Sequence, residues 1–131
     1  MTILQNIFKI WKSDGQEDFT TPQTEVRLFA LKYKSLLVGE LKLTEGIWSF
    51  EYSAAFKKQD EIKPLADFPD VDKVYKSKEL YPFFLHRIPS IKQPKVQRQI
   101  KEHKIDATNE ADLLRFFGIH SISNPFSLNA V

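Results

Sequence analysis

The fold is best predicted from residues 26–52, which read VRLFALKYKSLLVGELKLTEGIWSFEY. Val26 to Tyr33 and Leu36 to Leu43 are rich in residues that favour β-strands. Lys34-Ser35 between them has the length of a tight hairpin turn, without the preferred Asn-Gly chemistry. Connections this short join antiparallel strands, because a parallel pair needs a long crossover.

A third strand follows directly. Thr44-Glu45-Gly46 is a better turn, because Gly46 can adopt a positive φ, and Ile47 to Tyr52 continues as a strand. Alternation gives the second and third strands one apolar face each. The residues on these faces are Leu37, Leu41 and Leu43, and Trp48, Phe50 and Tyr52.

The apolar side of this sheet needs a cover, and the later sequence predicts helices for it. Pro94 suits the first position of one helix, in which Val96 and Ile100 lie one turn apart. Asn109 is a favourable cap for a second helix, which Gly118 is placed to end. We therefore predict an α+β fold, with a small antiparallel β-sheet (a hairpin or meander) covered by C-terminal helices.

The first 24 residues are predicted to be an extension of this domain. Met1 to Trp11 carries apolar residues at helical spacing, which indicates an amphipathic helix docked on its own domain or on a partner, with a membrane-surface anchor as the alternative. The run is too short and interrupted for a spanning helix or a secretory signal. Lys12 to Glu25 is polar, with breakers, and indicates a linker. The predicted division is an N-terminal extension and linker over 1–24 and one domain over 25–131.

Composition excludes several classes of function. The 131 residues fit one domain, and 19 Lys and Arg against 17 Asp and Glu give a net charge of +2, which provides no general reason to expect nucleic acid. The chain has no Cys, so disulfides, thiolate metal sites and a Cys nucleophile are excluded, in keeping with a cytoplasmic location. Its four glycines are too widely separated for a phosphate-binding loop.

Metal sites are not predicted either. His86, His103 and His120 lie 17 residues apart, so no two share a helical turn. Residues 67–72 hold three aspartates, but the calcium-loop glycine and terminal Glu are missing, which favours a solvated acidic loop. We expect no catalytic residue, no cofactor and no metal.

Two segments are candidates for binding. Leu80 to Pro89 reads LYPFFLHRIP, too apolar for an ordinary solvated loop, and its prolines suit neither a helix interior nor a central strand. The segment therefore packs against its own core or a partner. Lys95, Arg98 and Lys101 form a stripe in a basic stretch over 92–104, which indicates a solvated helix face or, as the alternative, phosphate contacts. Aromatic residues for stacking on single strands are not interleaved there.

Five of these segments together resemble a known family. They are Leu37-Val38-Gly39-Glu40-Leu41, Trp48-Ser49-Phe50-Glu51-Tyr52-Ser53, Tyr81 to Pro89, Leu113-Leu114-Arg115-Phe116-Phe117-Gly118 and Asn124-Pro125-Phe126. Their order and spacing are similar to the N-terminal subdomain of HipA-family toxin kinases. Relatives often have a glycine-containing first turn where this chain has Lys34-Ser35.

The resemblance covers about residues 26–126 and implies a partner. In HipA this subdomain precedes the kinase core, whereas this sequence stops at Val131, a layout similar to HipS-like small subunits of HipBST toxin–antitoxin systems. Such subunits bind and inhibit a HipT- or HipA-like serine/threonine kinase in trans, while a HipB-like protein contacts DNA. On this basis we expect an antitoxin without direct nucleic-acid or membrane contact. The alternatives are a nucleic-acid-binding module or transcriptional co-regulator, and an enzyme of unrecognised type.

The expected partner-binding residues come mainly from the proline-framed segment. They are Tyr81, Pro82, Phe83, Phe84, Arg87 and Trp48. The resemblance implies that Tyr81 projects toward the nucleotide cleft of the kinase, with packing in its own core as the alternative. Core packing is also expected for Trp48, Phe83 and Phe84, and Arg87 is expected to bond local carbonyls or a partner carboxylate.

Overall fold

The computed structural model describes Gly15, Gln16 and residues 19–131. The helix predicted within residues 1–11 lies outside the described residues. The strands are β1 Val26–Tyr33, β2 Leu36–Thr44, β3 Ile47–Tyr52, β4 Tyr75–Ser77 and β5 Ser127–Ala130. The helices described are α1 Ala54–Lys57, α2 Pro82–Leu85, α3 Pro94–Glu102 and α4 Glu110–Phe117. The predicted α+β class is confirmed.

The strands form one five-stranded sheet in the order β4-β3-β2-β1-β5, with every neighbouring pair antiparallel. The predicted meander of β1, β2 and β3 is its centre. Lys34 has a φ of 54° in the first turn, a left-handed conformation that glycine adopts more easily, and Gly46 has a φ of 87° in the second. The edge strands β4 and β5 were not predicted.

The alternation of buried and exposed side chains continues along β3 and is interrupted at one point on β2. Trp48, Phe50 and Tyr52 are all buried, as predicted. On β2 the register with β1 shifts, so that Val38 is an extra residue between the paired positions of Leu37 and Gly39. This β-bulge interrupts the alternation. Val38 is therefore fully buried while Leu37 is half-buried, and the predicted place of Leu37 on the core face is wrong.

The core is built around the ring of Phe50. This ring stacks on Phe68 at a centroid distance of 4.4 Å and lies 5.8 Å from Phe84. A Cβ atom added to Gly39 would lie 2.7 Å from the Phe50 ring and 2.5 Å from the Glu51 carbonyl oxygen, so a larger residue would clash. Tyr52 ties the same layer together, because its hydroxyl donates to the Phe68 carbonyl at 2.6 Å. The sheet, α2 and the 65–68 segment therefore share one aromatic centre.

Helix α3 begins where the sequence predicts, and α4 begins and ends where the sequence predicts. Pro94 occupies the first turn of α3, and Val96 is its buried residue. The Asn109 side chain accepts from the Asp112 amide at 3.1 Å and caps α4. The Gly118 amide donates to the Leu114 carbonyl at 2.7 Å at the end of that helix. A proline therefore marks the start of α3, and the caps Asn109 and Gly118 mark the bounds of α4.

The described part of the predicted linker packs on the domain. Phe19 is fully buried in the core. The Thr20 amide donates to the Thr108 carbonyl, and the Thr21 hydroxyl donates to the buried Glu110 carboxylate at 2.7 Å. The linker interpretation is wrong for these residues. Their mostly polar composition indicated an exposed segment, but its one aromatic ring is buried and its polar groups form hydrogen bonds inside the domain. The division at residue 24 stays a prediction.

Replacing Phe19 by Ala should lower the free energy of unfolding by about 3–5 kcal/mol, because a fully buried ring would leave a cavity. Urea denaturation of the full chain measures this change. Ile122→Ala is the control, since this side chain is fully exposed and its truncation should change stability by less than about 0.5 kcal/mol. Equal stability of the two variants would restore the linker interpretation.

Candidate protein-binding site

The proline-framed segment is a core element of the domain. Pro82 is the first residue of α2, where its missing amide hydrogen costs nothing. Leu80, Phe84, Leu85 and Ile88 are fully buried. Of the two alternatives, packing against its own core therefore describes most of the segment. The sequence is apolar because the segment covers the sheet, and only part of it faces outward.

Trp48 and Phe84 lie in the interior as core residues. Neither side chain has any exposed area. The Trp48 indole nitrogen donates to the Thr21 hydroxyl at 3.1 Å, and its ring lies 6.3 Å from that of Phe29. The core packing expected of Trp48 and Phe84 is confirmed, whereas their role as partner-binding residues stays a prediction.

Tyr81 is half-buried and held from two sides. Its ring meets Phe68 edge-on at a centroid distance of 4.9 Å, and its hydroxyl donates to the Trp48 carbonyl at 3.3 Å. Burial raises the pKa of Tyr81 to about 12. The side chain is anchored against the sheet in this structure, so the core-packing alternative describes most of the ring.

Arg87, which follows α2, forms hydrogen bonds with the segment that connects α4 to β5. Its terminal nitrogens donate to the Gly118 carbonyl at 2.8 Å, the Asn124 side-chain oxygen at 2.9 Å and the Phe126 carbonyl at 2.8 Å. Within the described residues Nε has no hydrogen-bond partner. Burial lowers the pKa of Arg87 to about 10. Of the two predicted partners, the structure shows local carbonyls.

Phe83 is half-buried and packs against the core, as expected, and it belongs to a row of half-buried aromatics. Its ring lies 6.0 Å from that of Phe126, which lies 5.8 Å from that of Tyr33. We call Phe83, Phe126 and Tyr33 the aromatic row. The guanidinium of Arg87 lies 5.6 Å from the Phe83 centroid, and Lys34 Nζ lies 5.5 Å from that of Tyr33. A cation therefore stands over each end of the row.

A cleft of about 520 Å³ opens beside the Tyr33 end of the row. The residues that line it are Tyr33, Lys34, Ser35, Leu36, Gln59, Glu61 and Ile62. The row and the cleft combine half-buried apolar surface with a polar rim, the composition of a protein contact surface. Sequence analysis missed Tyr33 and Phe126, because three separate segments meet only in the folded chain.

The remaining candidate residues are the histidines, the aspartates of residues 67–72 and the basic stretch over 92–104. Among residues 15–16 and 19–131, no three His, Cys, Asp or Glu side chains are grouped to hold a metal ion. Asp67 accepts from the Phe83 amide at 3.1 Å, and Asp70 accepts from the Asp72 amide. The helices that the structure describes include none with the length and apolar character to cross a bilayer. Lys95, Arg98 and Lys101 are exposed on α3.

Comparison with protein families identifies the domain. The sequence profile of the HipA N-terminal domain matches residues 30–122. This chain belongs to that family, whose domain is the non-catalytic N-terminal part of HipA. Comparisons with curated proteins and with solved structures gave no match. The family is consistent with a HipA-type toxin–antitoxin context.

Replacing Arg87 by Met should loosen the chain before β5. The amides of Phe126 and Leu128 should exchange at least about tenfold faster, because hydrogen bonds from a charged group contribute about 1.5–3 kcal/mol each. Hydrogen exchange read by NMR measures the rates. Arg115→Met is the matched control, since Arg115 is exposed on α4. Unchanged rates in Arg87→Met would show that Arg87 does not hold this segment.

Tyr81→Phe should make stability less sensitive to alkaline pH. Between the ordinary pKa of 10.0 and the folded-state pKa of about 12, the unfolded chain releases the Tyr81 proton while the folded chain retains it. Stability therefore falls as pH rises through this window, and the variant lacks this contribution. Denaturation midpoints measured below and within the window test the difference. Parallel curves for the two proteins would contradict burial of the hydroxyl.

Proposed function

We propose that this protein is a non-catalytic antitoxin subunit that binds a HipT- or HipA-like serine/threonine kinase in trans and holds it inactive. The observation that carries the proposal is the family match over residues 30–122. In a three-protein assembly, a HipB-like partner contributes specific DNA recognition. The setting is the cytoplasm, in keeping with a sequence that contains no Cys.

The aromatic row is the contact surface in this proposal. Interfaces are enriched in aromatic residues, and a few anchors contribute most of the binding energy. Phe83 is well suited as an anchor because its backbone and ring are already fixed, by Asp67 and by Arg87. Such preorganised side chains lose little conformational entropy on binding. Tyr81 contributes only through the exposed part of its ring, and Pro82 by setting the start of α2.

Co-expression with a shortened HipA-like kinase tests the function. The expected result is co-elution in size exclusion and loss of kinase autophosphorylation when the subunit is present. A kinase that elutes alone and remains active beside the intact chain would contradict the proposal. Co-elution with full autophosphorylation would support binding and overturn inhibition.

Variants of the row test the surface. Phe83→Ala and Tyr33→Ala should each weaken kinase binding about tenfold or more, because truncating an interface anchor costs about 2 kcal/mol. Ile47→Ala is the matched control, since Ile47 is an exposed apolar residue at the start of β3 and outside the row. Calorimetric titration of the purified kinase gives the affinities. Unchanged binding in both row variants would remove the row from the interface while leaving the function intact.

A further inference from the structure

Helix α3 presents its cations away from the core. Val96 is buried and Ile100 is half-buried, which sets the inward side of the helix. Lys95, Arg98 and Lys101 follow at intervals of three residues and are all exposed. These three residues are called the basic face. Along the helix axis they span about 9 Å, at 1.5 Å per residue.

The basic face lies in a stretch with an excess of positive charge, and Glu102 is the acidic residue that lines the same cleft as Lys95 and Arg98. Residues 92–104 contain five cations and one acid, Glu102, so this stretch carries +4 where the whole chain carries +2. Salt bridges among the described residues join Arg27 to Glu25 and Asp112, and Lys57 to Asp72. No residue of the basic face takes part in them. The face therefore presents a local positive potential to solvent.

The residue composition of the basic face favours one class of anionic partner over the others. Lys is depleted in protein interfaces, and two of the three residues are Lys. Insertion into a lipid surface needs exposed apolar residues on the same face, but Val96 is buried and Ile100 packs against the core. Single-stranded nucleic acid needs aromatic platforms, and α3 has none. Phosphates of a duplex need only cations and amide donors, and Gln97 and Gln99 lie among the cations.

We propose that the basic face binds the phosphate backbone of double-stranded DNA without reading its sequence. The duplex carries about one charge per 1.7 Å of axis, so several phosphates lie within the reach of the three side chains. Each neutralised phosphate releases counterions, and three contacts give a slope of about −2.7 in log affinity against log salt. This contact needs no kinase and is independent of the proposed function.

Fluorescence anisotropy of the full chain with a labelled DNA duplex tests the contact. Affinity should fall about 40-fold between about 50 mM and about 200 mM salt, and two unrelated duplex sequences should bind equally. Lys95→Gln, Arg98→Gln and Lys101→Gln combined should abolish most of the binding while the melting temperature stays unchanged. The matched control combines Lys42→Gln, Lys63→Gln and Lys76→Gln, which removes the same charge from other exposed positions and should bind like the unaltered chain.

The outcomes separate clearly. Loss of binding in the α3 variant alone supports the proposal. Equal loss in both triple variants would show that net charge and not the basic face is responsible, and would overturn it. Absence of binding at low salt, binding without salt dependence, or stronger binding to duplex RNA than to duplex DNA would overturn it as well.

Discussion

The contact between Phe50 and Gly39 is the constraint on which the rest of the fold depends. A Cβ atom at Gly39 would approach the Phe50 ring to 2.7 Å, and the same ring stacks on Phe68. Phe84 joins the same cluster, so one side chain of β3 connects the sheet, α2 and the 65–68 segment. Close packing of this kind leaves little freedom for alternative arrangements of the segments it joins.

This packing decides which residues remain for a partner. Phe84, Leu85 and Ile88 are fully buried in the core, whereas Phe83 is half-buried at its margin. Arg87 then brings the chain before β5 beside Phe83, which completes the aromatic row with Phe126. The row is thus a product of core packing and one buried cation. The basic face has a separate origin in the amphipathic pattern of α3.

Local signals in the sequence predicted most of the fold. Alternation and turn residues gave the bounds of β1 and β3, and the Asn109 cap and Gly118 gave those of α4. Non-local effects could not be predicted in this way. Strand β4 has three residues and exists through pairing with β3, the bulge at Val38 needs a partner strand, and Phe19 is one aromatic in a polar stretch. Likewise, no local pattern links the three residues of the aromatic row, whereas the spacing of α3 alone indicated its basic stripe.

Hydrogen–deuterium exchange of the full chain, alone and with a shortened HipA-like kinase, tests whether the aromatic row and the adjoining cleft form the kinase-binding surface. We expect slower exchange on kinase binding in three places, namely α2, the chain between Asn124 and β5, and the turn between β1 and β2. These segments carry the aromatic row and the adjoining cleft. Protection confined to α3 or to β4, with unchanged exchange in the segments that carry the aromatic row, would show that the kinase binds elsewhere.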